Sequence, residues 1–180
     1  KIENEIFEKY PELKIGIIVV KDIDNTGQDD EILKKVQDEI EKIRQNHSKP
    51  TLSENPKIAA WRKAYSSFGA KPKKYKCSVE NLYRMILDDI DLKHYSKLVD
   101  IYNYISLKYM IPVGGDDIDH VDGNITLKFA EGNEKFIQLN SLEESNPKEG
   151  EVVYCDDNEV LCRRWNWREC DKSKMTENTK

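Results

Sequence analysis

The densest chemistry in this sequence lies from Arg163 to Arg168, where three arginines and two tryptophans (Arg163, Arg164, Trp165, Trp167, Arg168) share six positions with Asn166. Guanidinium forks bind phosphate or carboxylate and indole faces stack on planar groups, so the segment suits docking of something anionic and flat. Read as a strand, it turns Arg164, Asn166 and Arg168 to one face and Arg163, Trp165 and Trp167 to the other. The competing reading buries both tryptophans in the core and pairs the arginines with the chain's carboxylates. A second candidate is the turn Ile111-Pro112-Val113-Gly114-Gly115. Here proline stops the preceding helix, and paired glycines permit positive φ and close approach of backbone to a ligand. Asp116, Asp117, Asp119 and Asp122 follow at once and suit a divalent cation or an ammonium group. They lack the spacing of a calcium loop, which favours solvated carboxylates, with His120 an ion-pair member rather than a base.

The net charge of −5 by itself argues against a dedicated nucleic-acid binder, because phosphate contacts need clustered Lys and Arg. The average hides a local excess. From Lys57 to Val79 there are seven basic residues (Lys57, Arg62, Lys63, Lys71, Lys73, Lys74, Lys76) and no acidic one, so this block carries +7 and the remainder −12. Trp61, Tyr65, Phe68 and Tyr75 interleave with those cations and suit base stacking as well as they suit a core. The plain alternatives are a solvated helix and loop offsetting acidic neighbours, or a protein contact.

The hydrophobic pattern outlines the elements that must hold these residues. Leu13 to Val20, rich in β-branched residues and bounded by Pro11 and the polar stretch Asp22 to Gly27, is expected to be a buried central strand. Ile32, Leu33, Val36, Ile40 and Ile43 recur at helical spacing between an acidic start at Asp29 to Glu31 and a basic end at Lys42 and Arg44, giving a helix of about four turns. After breaks at Pro50 and Pro56, Lys57 to Phe68 reads as a second helix, stopped by Gly69 and Pro72. Ser78 is expected to cap a third, carrying Val79, Leu82, Tyr83, Ile86 and Leu87. Ser96 caps a fourth that runs to Tyr109, with Leu98, Ile101, Tyr102, Ile105 and Tyr109 as its buried stripe and Asn103 beside it. The period then changes to two. Ile125, Leu127 and Phe129 alternate with polar residues, and a turn at Glu131 to Glu134 leads into Lys135 to Leu139 as a hairpin. Glu151 to Cys155 and Val160 to Trp167 read as further strands, and Asp171 to Lys180 as a mobile polar tail. Helices first and sheet later is an α+β order: helices packed on a mostly antiparallel or mixed sheet, in a single domain over residues 1–180.

A chain of 180 residues is long enough for one ordinary core and short for two. Charged residues are 35% and hydrophobic ones 38% of the total, which describes a soluble protein with a large solvated surface. The longest apolar stretch, Ile15 to Val20, is far short of a membrane span, and no leader resembles a signal peptide; the cytoplasm is the expected compartment, with no membrane partner. Cys77, Cys155, Cys162 and Cys170 form no Cys-x-x-Cys pair and lie far in sequence from His47, His94 and His120, so free thiols and no metal are expected. No Ser-His-Asp order, glycine-rich phosphate loop or cofactor signature is present, and no cofactor is expected. Oligomeric state is left open.

The segment Val99-Asp100-Ile101-Tyr102-Asn103-Tyr104, followed by Pro112-Val113-Gly114-Gly115-Asp116-Asp117-Ile118-Asp119, resembles the tRNA-binding editing domain of the bacterial phenylalanyl-tRNA synthetase β subunit. There the pattern reads Val-Asp-x-Thr-Asn-Tyr and then Gln-Pro-Leu-His-Ala-Phe-Asp. The likeness continues through Gly123 to Ala130 and through Met175-Thr176-Glu177-Asn178-Thr179, which resembles Val-Thr-Glu-Asp-Thr, and covers roughly Pro56 to the end. A freestanding branch of the superfamily looks closer still, with Tyr-Asn-Tyr, Pro-Val-Gly-Gly and Arg-Arg-Trp-Asn-Trp-Arg in these places. The resemblance implies an α+β domain whose partner is aminoacylated tRNA and whose reaction is hydrolysis of a mischarged ester in trans, by placed water and oxyanion donors rather than a protein nucleophile. A non-catalytic module binding a tRNA end or an amino acid is the alternative. By position, Asn103 would orient the ester or terminal ribose, and the Gly114 and Gly115 amides would lie near the carbonyl. Arg163, Arg164 and Asn166 would bind terminal phosphates or the amino acid, Trp165 or Trp167 would stack on the terminal adenine, and Asp117 would belong to the substrate site. Arg62, Lys71, Lys73 and Lys74 would carry tRNA contacts. Two departures stand out: the family's turn histidine is Gly114, and its threonine before the asparagine is Tyr102. Glu134 is the nearest counterpart offered for the family's pocket glutamate.

Overall fold

In the computed structural model, which describes residues 1–180, five helices precede a four-stranded antiparallel sheet in one α+β domain. Helix α1 (Asn4–Lys9) is short; α2 (Asp30–Asn46) starts where the Asp29 carboxylate accepts from the backbone of Glu31 and Ile32 and buries Ile40 and Ile43. Helix α3 (Pro56–Ser67) has proline in its first turn and the Asn55 side chain as cap, and α4 (Ser78–Leu87) buries Val79, Tyr83 and Ile86. In α5 (Lys97–Tyr109) the Ser96 hydroxyl accepts from the Val99 amide, as its cap position requires. Strands β1 (Thr126–Phe129), β2 (Val152–Cys155), β3 (Val160–Arg163) and β4 (Arg168–Glu169) pair in sequence order. Val152 joins the main core with Ile58, Tyr65, Ile86, Leu107 and Trp165, while Val153 joins a smaller core with Phe136 and Leu161 on the other face. That split is the period of two at work. No helix is long and apolar enough to cross a membrane.

Several expectations are corrected. Leu13 to Val20 lies in no ladder and no helix, with Ile17 77% and Ile18 88% exposed. The sheet has no edge to offer it. Beside β1 run Lys1 to Glu3, which exchange backbone hydrogen bonds with Leu127, and beside β4 lies Gln138, bridged to Cys170. Only Leu13 and Ile15 pack on the core. The hairpin is also different: Phe129 pairs with Val152, so β1 takes Val152–Cys155 as partner. Glu134 closes the intervening turn through the amides of Glu131 and Gly132, and Lys135 to Leu139 cross to the far side of the sheet, where Phe136 is fully buried.

On α5 the buried residues are Val99, Asp100, Ser106 and Leu107, whereas Ile101 and Tyr109 are exposed, so the buried face lies more than a third of a turn round the helix from the predicted stripe. Ser78 is the first residue of α4 rather than its cap; the cap position is Cys77, and the Ser78 hydroxyl is buried without a partner. The strand expected to reach Trp167 ends at Arg163, because Arg164 (φ 48°) and Trp165 (φ 67°) are both left-handed and turn the chain into β4. The C-terminal segment is anchored: Thr179 donates to Asp117, Ser173 to Asp116, and the Asn25 amide to the Thr176 carbonyl.

Candidate functional site

The Arg-Trp turn is held together from inside. Arg163 is 4% exposed and grips Glu151 through two nitrogens, with Nη1 on the Ser145 carbonyl at 2.6 Å. Arg164 donates to the same carboxylate at 2.8 Å, and its guanidinium carbon lies 3.8 Å from the Tyr75 ring centroid and 4.4 Å from that of Trp167. Trp165 is buried against Tyr10 and Trp61, at 4.8 and 5.2 Å between centroids. Asn166 accepts from the Tyr65 hydroxyl at 2.9 Å and, through its carbonyl, from the Ser78 amide at 3.1 Å, which ties the turn to α3 and α4. Of the residues the sequence singles out here, Arg168 is exposed, Asn166 and Trp167 are half-buried, and Arg164, though buried, lines a cleft. Arg62 is likewise engaged: two of its nitrogens donate to Glu80, a fully buried carboxylate shared with Arg84. Lys71, Lys73 and Lys74 are exposed.

The glycine turn has a different basis from the one expected. Neither Gly114 nor Gly115 is at positive φ; the left-handed residue after α5 is Met110, φ 50°. Their role is close approach. A Cβ on Gly114 would lie 3.1 Å from Glu169 Oε1, and one on Gly115 would lie 2.8 Å from the Met175 methyl. The turn is therefore seated directly on the end of β4 and against Met175, which opens the C-terminal stretch of the resemblance.

What meets there is a pair of carboxyl groups among phenols. Glu169, half-buried, is pushed up to about 8 by desolvation, with the Asp116 charge adding to it. Asp116 is itself raised by burial, against the Ser173 hydroxyl that donates to it at 2.5 Å. Burial first, and then these same carboxylates, raise Tyr102 on α5, and burial pushes Tyr154 on β2 up to about 12. Cys162 on β3 is raised by burial and by Glu169. Asn103 lies half-buried on α5 next to Tyr102. Both carboxyls are thus shifted toward their protonated, hydrogen-bond-donating forms, by burial first and, for Glu169, by the Asp116 charge second.

Close by, His94 Nδ1 is 2.6 Å from Asp100 Oδ2, and the buried Asp100 charge also acts on Tyr102. A carboxylate accepting from Nδ1 fixes the tautomer whose Nε2 is left to take a proton. Glu169 and His94 escaped the sequence reading because neither sits in a recognisable spacing; the only signal was a glutamate immediately after the Arg-Trp run. Asp117, by contrast, is buried and satisfied by Thr179 and the Asp119 amide, with His120 at 3.5 Å. Glu134 serves its own turn and Lys128, and the three interactions hold its carboxyl down at about 2 against its desolvation. No cluster of metal-ligating side chains is present.

Residues 60–180 match the family described as the B3/4 domain. A stretch of 66 residues is 33% identical to the phenylalanine–tRNA ligase beta subunit of Fusobacterium nucleatum subsp. nucleatum, covering 37% of this chain. The chain spans 8% of the length of that curated relative. With the match running from α3 through the glycine turn, the sheet and the anchored C-terminal segment, the chain belongs to the B3/4 domain family.

Proposed function

We propose that this chain is a freestanding editing-type domain that binds the aminoacylated end of a tRNA and hydrolyses a mischarged ester in trans. The observation that carries the reading is the glycine turn seated on Glu169, a carboxyl raised by burial and by the nearby Asp116 charge. In this reading water attacks the ester carbonyl while His94 Nε2 accepts its proton, and the Glu169 carboxyl and Tyr102 hydroxyl donate to the developing oxyanion. The tetrahedral intermediate collapses by breaking the bond to the ribose oxygen, which leaves with the proton returned from His94. Asp116 faces the substrate's ammonium group, a role its buried neighbour Asp117 has no free oxygen to fill. Asn103 orients the ester. No side chain forms a covalent intermediate, so both the missing triad and the absence of a reactive thiol are compatible with turnover.

The test is release of amino acid from a panel of correctly and incorrectly charged tRNAs, above the uncatalysed background. Wild type should turn over a subset, and Asn103→Ala should lose that turnover by roughly 100-fold, the scale of a single oriented donor. A second reading, a non-catalytic module for a tRNA end or amino acid, is favoured by Gly114 standing where the synthetase domain has histidine. It predicts no turnover on any member of the panel, with RNA binding weakened in Asn103→Ala.

A further inference from the structure

Beside the Arg-Trp turn, the chain leaves a cleft of about 320 Å³ between the corner after α3 and the loop preceding β2. Lys71 and Lys74 border it on one side and Lys148 on the other, with Tyr75 and Arg164 lining it between them. All three lysines are exposed and none is in an ion pair. Two carboxylates line the same space, but Glu151 is already shared by Arg163 and Arg164, leaving Glu149 alone to offset three lysines, of which Lys74 lies with its ammonium 5.2 Å from the Tyr75 ring centroid. Sequence distance hid this arrangement, since Lys148 lies more than seventy positions from the basic block that it faces.

We infer that this cleft is a slot for single-stranded RNA, its lysines on consecutive phosphates and the Tyr75 ring against a base. Lysines alone would suit any polyanion. The aromatic component narrows it: the Tyr75 ring lines the cleft, backed by the Arg164 guanidinium at 3.8 Å and by Trp167 edge-on at 5.0 Å. A ring made rigid in this way, beside a row of cations, is the arrangement that binds an unstacked base and its backbone together. The Phe68 to Ala70 corner does not oppose an anion, because the carbonyls of Tyr65 and Ser66 at the end of α3 are taken by the amides of Ala70 and Gly69. The slot rests on the proposed reading of the chain as a binder of RNA ends, and adds to it where the strand runs and which residues hold it.

The experiment is fluorescence anisotropy of a short 5′-labelled single-stranded RNA ending in CCA, titrated with the full chain between about 50 and 200 mM salt. Three phosphate contacts predict a slope of log affinity on log salt of about −2. Each of Lys71→Gln, Lys74→Gln and Lys148→Gln should flatten that slope by about 0.7, and Lys63→Gln, in the same basic block but outside the cleft, should leave it unchanged. Tyr75→Leu should weaken binding about tenfold with the slope intact. A slope near zero, an equal effect of Lys63→Gln and Lys148→Gln, or a duplex of the same length bound as tightly, would overturn the slot. Failure of the slot separates from failure of the editing reading: deacylation with an RNA affinity and salt slope indifferent to Lys71, Lys74 and Lys148 rejects the slot alone, whereas slot-dependent binding with no ester hydrolysis rejects editing alone.

Discussion

Glu169 and Glu151 show how one residue type takes opposite roles in two environments. Glu151 is 4% exposed and fully neutralised by Arg163 and Arg164, so its task is to hold the turn. Removing it in Glu151→Ala strands two guanidinium groups and should cost about 3–5 kcal/mol, read as a lower urea midpoint. Glu169 has no cation beside it and meets another carboxyl instead. Its folded pKa, about 8, lies above the ordinary 4.5, so the folded state binds more protons than the unfolded chain in that interval. The sign follows: this group's contribution is fully present below about 4.5 and is lost as pH rises through about 8. Glu169→Gln should therefore gain melting temperature relative to wild type as pH is raised across that window, and a constant gap would contradict the assignment. In catalysis the same protonation predicts that background-corrected deacylation falls as pH rises through about 8, with the glutamine variant lacking that limb.

At the scale of elements, what could be read from the chain was whatever is decided locally. Helices α2, α3 and α5 start at Asp29, Asn55 and Ser96, each side chain accepting from backbone amides of its first turn, and such caps are visible in sequence. Loss of the cap in Asp29→Ala should cost about 1 kcal/mol, measurable by chemical denaturation with α2 helicity reduced. The strands were less legible because each needs a partner chosen elsewhere. The alternation at Ile125 to Phe129 is real, yet β1 pairs with Val152–Cys155 across an intervening loop, since Glu134 and buried Phe136 direct the nearer segment away. The Arg-Trp run carried the compositional signal of a binding strand and is a turn, held by Asn166, Tyr65 and Glu151. Both glycines of the preceding turn were marked for positive φ and for close approach to a ligand; neither has positive φ, and what lies close to them is Glu169 and Met175. Because the Met175 methyl is the free end of a flexible side chain, Gly115→Ala should fold with little loss of stability while displacing Met175 from the site.

Across the whole molecule, the sheet is closed at both edges by its own chain, and that decides the fate of the most strand-like sequence. Ile17 to Val20 lie exposed, so their amides should exchange with solvent far faster than those of β2 and β3, which sit between the two cores. Native-state hydrogen exchange checks this, and strong protection of Ile17 to Val20 would contradict the arrangement. Charge is distributed on the same scale: the +7 block and the acidic remainder meet at Arg62, Glu80 and Arg84, while Lys71 and Lys74 stay free to face Lys148. The sequence by itself determined the α+β class, four of the five helices with the Ser96 cap of α5, and the motif order that resembles a tRNA editing domain, because these depend on composition, period and local hydrogen bonds. Only the tertiary structure decided which strands pair, which arginines are spent on buried carboxylates, and that Glu169 lies against the glycine turn with Asp116. Those outcomes depend on desolvation and on charges brought together from distant parts of the chain, and no local pattern encodes them.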